Sequence, residues 1–133
     1  MKVLFVCQGN IMRSLMAEAF YNDIVGEGAT SAGVEPGGEF ADSRVAAVMS
    51  EIDIDISRAA STKLTPELVD QADIVVLFPT PLMPDYALKS EKAIHWDVAD
   101  PWYEGAGPDL LRQVRDDIRA RVESLIKEMV DEN

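Results

Sequence analysis

The stretch Val3–Phe20, VLFVCQGNIMRSLMAEAF, changes its periodicity at the only cysteine of the chain. Val3 to Val6 is apolar throughout and is bounded by Lys2 and the turn-forming Gly9 and Asn10, which predicts a short buried strand. Beyond the turn, Met12, Leu15, Met16, Ala19, Phe20 and Ile24 recur at steps of three and four residues. They mark one face of a helix that stops near Gly26 and Gly28. Strand, tight loop, helix is the opening of a parallel α/β unit, and the thiol sits at its junction.

The rest of the chain repeats the alternation. ATSAGV, residues 29–34, reads as a second strand, followed by the loop EPGGE and a helix from about Ala41 to Glu51. Thr65 reads as an N-cap, with Pro66 as the first helical residue and Glu67 as a favourable first-turn charge. DIVVLF, Asp73 to Phe78, is the clearest strand, and a shorter one falls around Ala93 to Trp96. Leu111, Val114, Ile118, Val122, Leu125 and Met129 form the apolar stripe of a long closing helix. The expected architecture is a single α/β domain over residues 1–133, with a four-stranded parallel sheet and helices on both faces. A site is expected at the carboxyl ends of the strands, with a phosphate-binding loop after strand 1.

Composition narrows the function. The chain has 133 residues, 24 acidic against 12 basic, for a net charge of -12, which opposes binding to nucleic acid or anionic membranes. A phosphate-like ligand must therefore be captured by a local positive site. No apolar run approaches the length of a membrane span and no cleavable signal pattern is visible, so a cytoplasmic protein is expected. One cysteine excludes an intrachain disulfide and a cysteine-rich zinc site, and the lone His95 makes a poor metal ligand, so neither metal nor cofactor is expected.

In CQGNIMRS, residues 7–14, Gly9 and Asn10 can take the positive φ angles of a curled loop whose amides point inward. Such a nest, continued into a helix N-terminus, binds a tetrahedral oxyanion through Gln8, Gly9, Asn10, Ile11 and Met12. Arg13, in the first helical turn, can grip two anion oxygens with its planar guanidinium. A free thiol titrates near roughly 8.5, and one beside an arginine at a helix N-terminus is depressed by several units. Cys7 then becomes a thiolate nucleophile at the floor of an anion cradle, with Ser14 placed to donate to it.

These residues carry a resemblance. VLFVCQGNIMRSLMAEAF resembles the active-site sequence of the low-molecular-weight protein tyrosine phosphatases and of the arsenate reductases that share their fold. TSAG, DISRAASTKLTPE, DIVVLF and VADPWYEG extend it over most of the chain. The resemblance implies Cys7 as nucleophile, Arg13 as phosphate clamp, Asn10 and Ser14 as residues that hold the loop, Ser31 as support for Asn10, and Asp100 as general acid. It also implies that Met12 stands where many members carry a second, protective cysteine, and Arg58 where eukaryotic members carry a loop-supporting histidine.

Transfer of a phosphoryl group to sulfur needs a proton for the departing oxygen, and hydrolysis of the thiophosphate needs a base for water. Asp100, on a loop after the last strand, can serve both steps. Trp102 and Tyr103 can wall the entrance and stack on an aryl ring. Specificity is expected to depend on these two, on Tyr86 and on EPGGEFAD. Asp97 reads instead as a structural turn or cap.

The expected activity is hydrolysis of a phosphomonoester, a phosphotyrosine protein or a small aryl phosphate, with inorganic phosphate or another oxyanion as competitor. Arsenate reduction is the alternative, through an external low-molecular-weight thiol, because the chain lacks the two further cysteines of a disulfide relay. A noncatalytic phosphate-binding domain would fit the loss of nucleophile or acid, and both are present.

Overall fold

The computed structural model describes residues 1–105 and 107–131, the side chains of Tyr103 and Glu104 excepted. Strand β1, Val3–Cys7, is buried at every position because it lies inside the sheet with both faces covered. Its alternation divides the core. Val3, Phe5 and Cys7 join the cluster that contains Phe20, Met49 and Ile118, whereas Leu4 and Val6 join one built with Leu64, Val69 and Ala87.

Four parallel strands, β1, β2 (Ala29–Gly33), β3 (Ile74–Leu77) and β4 (Ala93–His95), lie in the order β2-β1-β3-β4. Helix α1 (Arg13–Val25) connects β1 to β2. Then α2 (Ser43–Ser50) and α3 (Pro66–Gln71) carry the chain across to β3, α4 (Asp85–Leu88) precedes β4, and α5 (Pro108–Asp131) closes the chain. The direction of travel reverses between β1 and β3, and the loops after both strands diverge there. Such a switch point is where open parallel sheets hold ligands.

Most expected elements are present within a few residues. Thr65 caps α3 by accepting from Leu68 N, with Pro66 at the first position and Glu67 in the first turn. Leu111, Ile118, Val122 and Leu125 of α5 are buried, and burial of each such side chain contributes about 1.5–3 kcal/mol. One reading needs correction, and two short elements go beyond the expected set. Met12, Leu15, Met16 and Phe20 are buried as expected, but Ile24 is 48% exposed, because the buried face of α1 also takes in Arg13, Ser14, Ala17 and Tyr21 and does not extend to the last turn. Helix α4 was not expected from its proline-rich sequence, being a single turn begun at Pro84. A 3₁₀ turn over Pro101–Glu104, capped by Asp100, was likewise not foreseen. Among the described residues, no helix is long and apolar enough to cross a membrane.

Candidate active site

The carbonyls of the loop between β1 and α1 are held from outside one after another. Cys7 O accepts from Val34 N (3.1 Å), Gln8 O from Glu35 N (2.8 Å), Gly9 O from Gly37 N (2.9 Å) and Ile11 O from Asp42 N (2.9 Å). Ser61 Oγ donates to Asn10 O at 3.0 Å, and Met16 N to Met12 O at 3.2 Å. Across a trans peptide, the C=O of one residue and the N–H of the next point in opposite directions. Outward carbonyls at residues 7–12 therefore turn the amides of residues 8–13 inward. One of them, Asn10 N–H, donates to Cys7 Sγ at 3.3 Å. Met12 caps α1 without a side-chain hydrogen bond and the first turn has no acidic residue, which leaves the positive end of the helix open to an anion.

Asn10 takes the expected left-handed conformation, φ 52°, but Gly9 does not. The glycine that the loop geometry demands is Gly33, at the end of β2. A Cβ there would meet Asn10 Cβ at 2.8 Å, Asn10 N at 2.9 Å and Gly9 C at 2.9 Å, so only glycine lets the loop lie against the strand.

Asn10 is buried, and its side chain holds the loop to three other segments. Its Oδ1 accepts from Thr62 N at 2.8 Å, which sets the orientation of the amide. Nδ2 then donates to Ser14 Oγ at 2.7 Å and to Ser31 Oγ at 3.0 Å. Ser14 Oγ lies 2.9 Å from Cys7 Sγ, and Ser31 Oγ donates to Glu18 Oε1 at 3.0 Å. Burial pushes the Glu18 carboxyl above its usual range, and the hydrogen bond from Ser31 pulls it partly back.

Arg13 is buried beneath the pocket, with NH1 donating to Val98 O at 2.8 Å and Pro79 O at 3.1 Å. Its guanidinium carbon lies 5.6 Å from the centroid of the Phe78 ring. NH2 lies 3.5 Å from Asp100 Oδ2, while Asp100 Oδ1 accepts from Trp102 N at 3.0 Å. The carboxylate thus caps the 3₁₀ turn with one oxygen and faces the arginine with the other. These groups surround a cavity of about 230 Å³.

Of the expected site residues, Cys7, Gln8, Gly9, Ile11, Met12, Arg13, Asp100 and Trp102 line that cavity. Asn10, Ser14 and Ser31 lie behind it as supports, all buried. The side chain of Tyr103 falls outside the described residues. Tyr86 does not line the cavity and sits on α4, and Asp97 is exposed away from it. Within EPGGEFAD the lining residues are Glu35, Pro36 and Gly37. Arg58 is exposed, and the contacts to Asn10 from this part of the chain come from Ser61 and Thr62. His95 is exposed on the edge strand β4, and no group of three or more His, Cys, Asp or Glu among the described residues could hold a metal ion.

The family described as low molecular weight phosphotyrosine protein phosphatase matches this chain over residues 2–133. The chain belongs to that family. An arsenate reductase of Staphylococcus aureus (strain N315) is 33% identical over 133 residues, covering 91% of this chain and 92% of the relative. A solved arsenate reductase in the phosphate binding state is 32% identical with a TM-score of 0.82, covering 96% of this chain and 98% of the other. A YwlE arginine phosphatase, solved as a C7S mutant with a phosphorylated active site serine, is 28% identical with a TM-score of 0.82, covering 97% of this chain and 95% of the other.

Low-molecular-weight phosphatases and the arsenate reductases among their relatives are enzymes, and so is this member of the family. Sequence reasoning passed over four of its site residues. Gly33, Glu18, Ser61 and Thr62 act on the loop across chain separations that no local period reports. The one weak signal was a glycine ending a strand.

Proposed function

We propose that this phosphatase-family enzyme hydrolyses phosphomonoesters of the aryl type, phosphotyrosine foremost, through a cysteinyl-phosphate intermediate. The observation that carries the reading is the placement of the only cysteine among inward amides, with Arg13 and Asp100 on the same cavity. Cys7 thiolate attacks phosphorus, the P–O bond to the leaving group breaks, and the departing oxygen takes the proton of the Asp100 carboxyl. Asp100, now a carboxylate, takes a proton from water, which attacks phosphorus. The S–P bond breaks, releasing inorganic phosphate and the thiolate.

Charge that develops on the transferring group meets the loop amides and Arg13, already held in position by its carbonyl partners. Ile11, Pro36 and Trp102 supply apolar walls suited to a flat ring. Phosphate and other oxyanions compete for the same amides. An unpaired thiolate nucleophile suits a reducing compartment, so a cytoplasmic location accompanies this reading.

A second reading, arsenate reduction, is favoured by the names of the relatives at 33% and 32% identity. With a single cysteine, its two electrons must come from an external low-molecular-weight thiol. The deciding experiment assays the purified protein side by side with an aryl phosphate and with arsenate plus such a thiol. Release of phosphate from the aryl ester is expected. Turnover of arsenate alone would reverse the ranking.

A further inference from the structure

The loop that carries Asp100 is tied to the phosphate loop by a second route, which does not pass through Arg13. Asp42 N–H donates to Ile11 O at 2.9 Å, joining the start of α2 to the phosphate loop. The Asp42 carboxylate caps α2 through Arg44 N (2.9 Å) and takes the Arg44 guanidinium in two further bonds, Nε to Oδ1 at 3.1 Å and NH2 to Oδ2 at 3.0 Å. The side-chain bonds from Arg44 hold the Asp42 carboxyl below its usual range. A guanidinium gripped in this forked way has its plane set, and the face left over can stack. Its carbon lies 5.7 Å from the centroid of the Trp102 ring. Trp102 N–H in turn donates to Asp100 Oδ1.

Trp102 needs such a hold. It is 55% exposed, large and apolar, on a 3₁₀ turn too short to fix itself. Among the described residues, Arg44 makes its one cation–π or ring contact. A ring pinned from α2 fixes the turn, and the turn fixes the carboxylate that caps it.

We propose that Arg44 is a positioning residue for the proton-transfer step: by holding Trp102 it keeps Asp100 at the pocket rim in the geometry that protonates the leaving oxygen. The inference rests on the reading of Asp100 as general acid. Arg44 does not line the cavity, so any change its loss transmits through the Trp102 wall is common to all aryl esters, and the part that grows with the leaving-group pKa reports the acid. A leaving group of low pKa departs without a proton, whereas phenol, near the tyrosine value of about 10, requires one.

The test measures kcat/KM for aryl phosphates whose leaving groups range from 2,4-dinitrophenol to phenol, using the wild-type protein, Arg44→Ala, Arg44→Lys and Asp100→Asn. Arg44→Ala is expected to lower kcat/KM for phenyl phosphate by about twofold to fivefold, the size of one exposed cation–π contact. The dinitrophenyl ester should lose less, only the part that all aryl esters share through the Trp102 wall, and inhibition by inorganic phosphate should be unchanged. Arg44→Lys keeps the charge without the planar face and should fall between. An equal loss across the series, or none, overturns the inference even if the thermal midpoint falls, because that is the behaviour of a purely structural residue. A dependence on the leaving group in Asp100→Asn as shallow as in wild type removes the acid assignment and the inference with it. A steep dependence there beside wild-type behaviour in both Arg44 variants removes the inference alone.

Discussion

Ser14 Oγ stands 2.9 Å from Cys7 Sγ with a lone pair engaged by Asn10 Nδ2 at 2.7 Å. When the thiol is ionised, the serine hydrogen has sulfur as its acceptor. Cys7→Ser is then expected to abolish hydrolysis of 4-nitrophenyl phosphate while calorimetry still detects phosphate binding. Hydrolysis that survives would end the nucleophile assignment. Ser14→Ala removes a hydrogen bond to a charged atom, typically about 1.5–3 kcal/mol, and should slow release of phosphate from Cys7 by about 10-fold to 150-fold. Rapid-quench measurements should detect accumulated phosphoenzyme, and wild-type turnover without accumulation would count against this role.

Gly33 makes a prediction from sterics alone. The atoms that a new Cβ would strike are Asn10 and Gly9 backbone or near-backbone atoms, which cannot swing aside as a side-chain tip does. Gly33→Ala should cost about 1–3 kcal/mol of stability, the range for overpacking, and weaken phosphate binding by displacing the loop. Denaturant unfolding and a phosphate titration measure the two effects. Wild-type affinity in the variant would show that the loop does not need this contact.

For Asp100→Asn, loss of the transferable proton is expected to reduce turnover of an ester with a poor leaving group by about 10² to 10⁴. Removing the charge also frees Arg13 NH2 from the carboxylate 3.5 Å away, so affinity for inorganic phosphate should hold or rise. An unchanged rate with phenyl phosphate would move the acid role to another group.

Two carboxylates should bend the dependence of stability on pH in opposite directions. Glu51 accepts from Arg112 and Arg115 of α5, and the Arg112 bonds above all bring its carboxyl down to about 2. Its contribution is present above about 4.5 and is lost as pH falls toward 2. Glu51→Gln should flatten the thermal midpoint over that window, and added salt should shrink the difference because the pair is exposed. Glu18 has the opposite sign. Its raised pKa means the folded state keeps a proton that the unfolded chain gives up, so stability falls as pH rises through the window above 4.5. Glu18→Gln, which still accepts from Ser31, should remove that fall. Glu18→Ala should remove it too but release Ser31 and lower activity. Identical pH profiles for wild type and Glu18→Gln would contradict the burial argument.

Local order was legible wherever a period lasted long enough to be read. β1, α1 and α5 carry apolar spacing over several turns or strand positions, and the α3 cap is written in three adjacent residues. Helix α4 and the 3₁₀ turn at Pro101 escaped because a single turn holds too few residues to show a period. Ile24 misled because a step of four from Phe20 places a residue on the face of an ideal helix without saying how far the neighbouring elements reach. In the site, the contiguous segment Cys7–Ser14 was readable as chemistry. The place of Arg58 in the pattern did not say which residues of that segment turn inward, and Ser61 and Thr62 are the ones that reach Asn10.

By itself, then, the sequence determined that a thiol, a curled loop and an arginine meet where a buried strand becomes a helix, since residues within a turn or two of one another are bound to share that neighbourhood. It determined too that no second cysteine could serve the first. Tertiary structure alone decided what holds the loop and what completes the pocket. Thr62 reaches Asn10 across 52 positions, and Arg13 reaches Val98 across 85. Contacts at such distances depend on strand order and on the close approach at Gly33, and these exist only once the sheet has assembled.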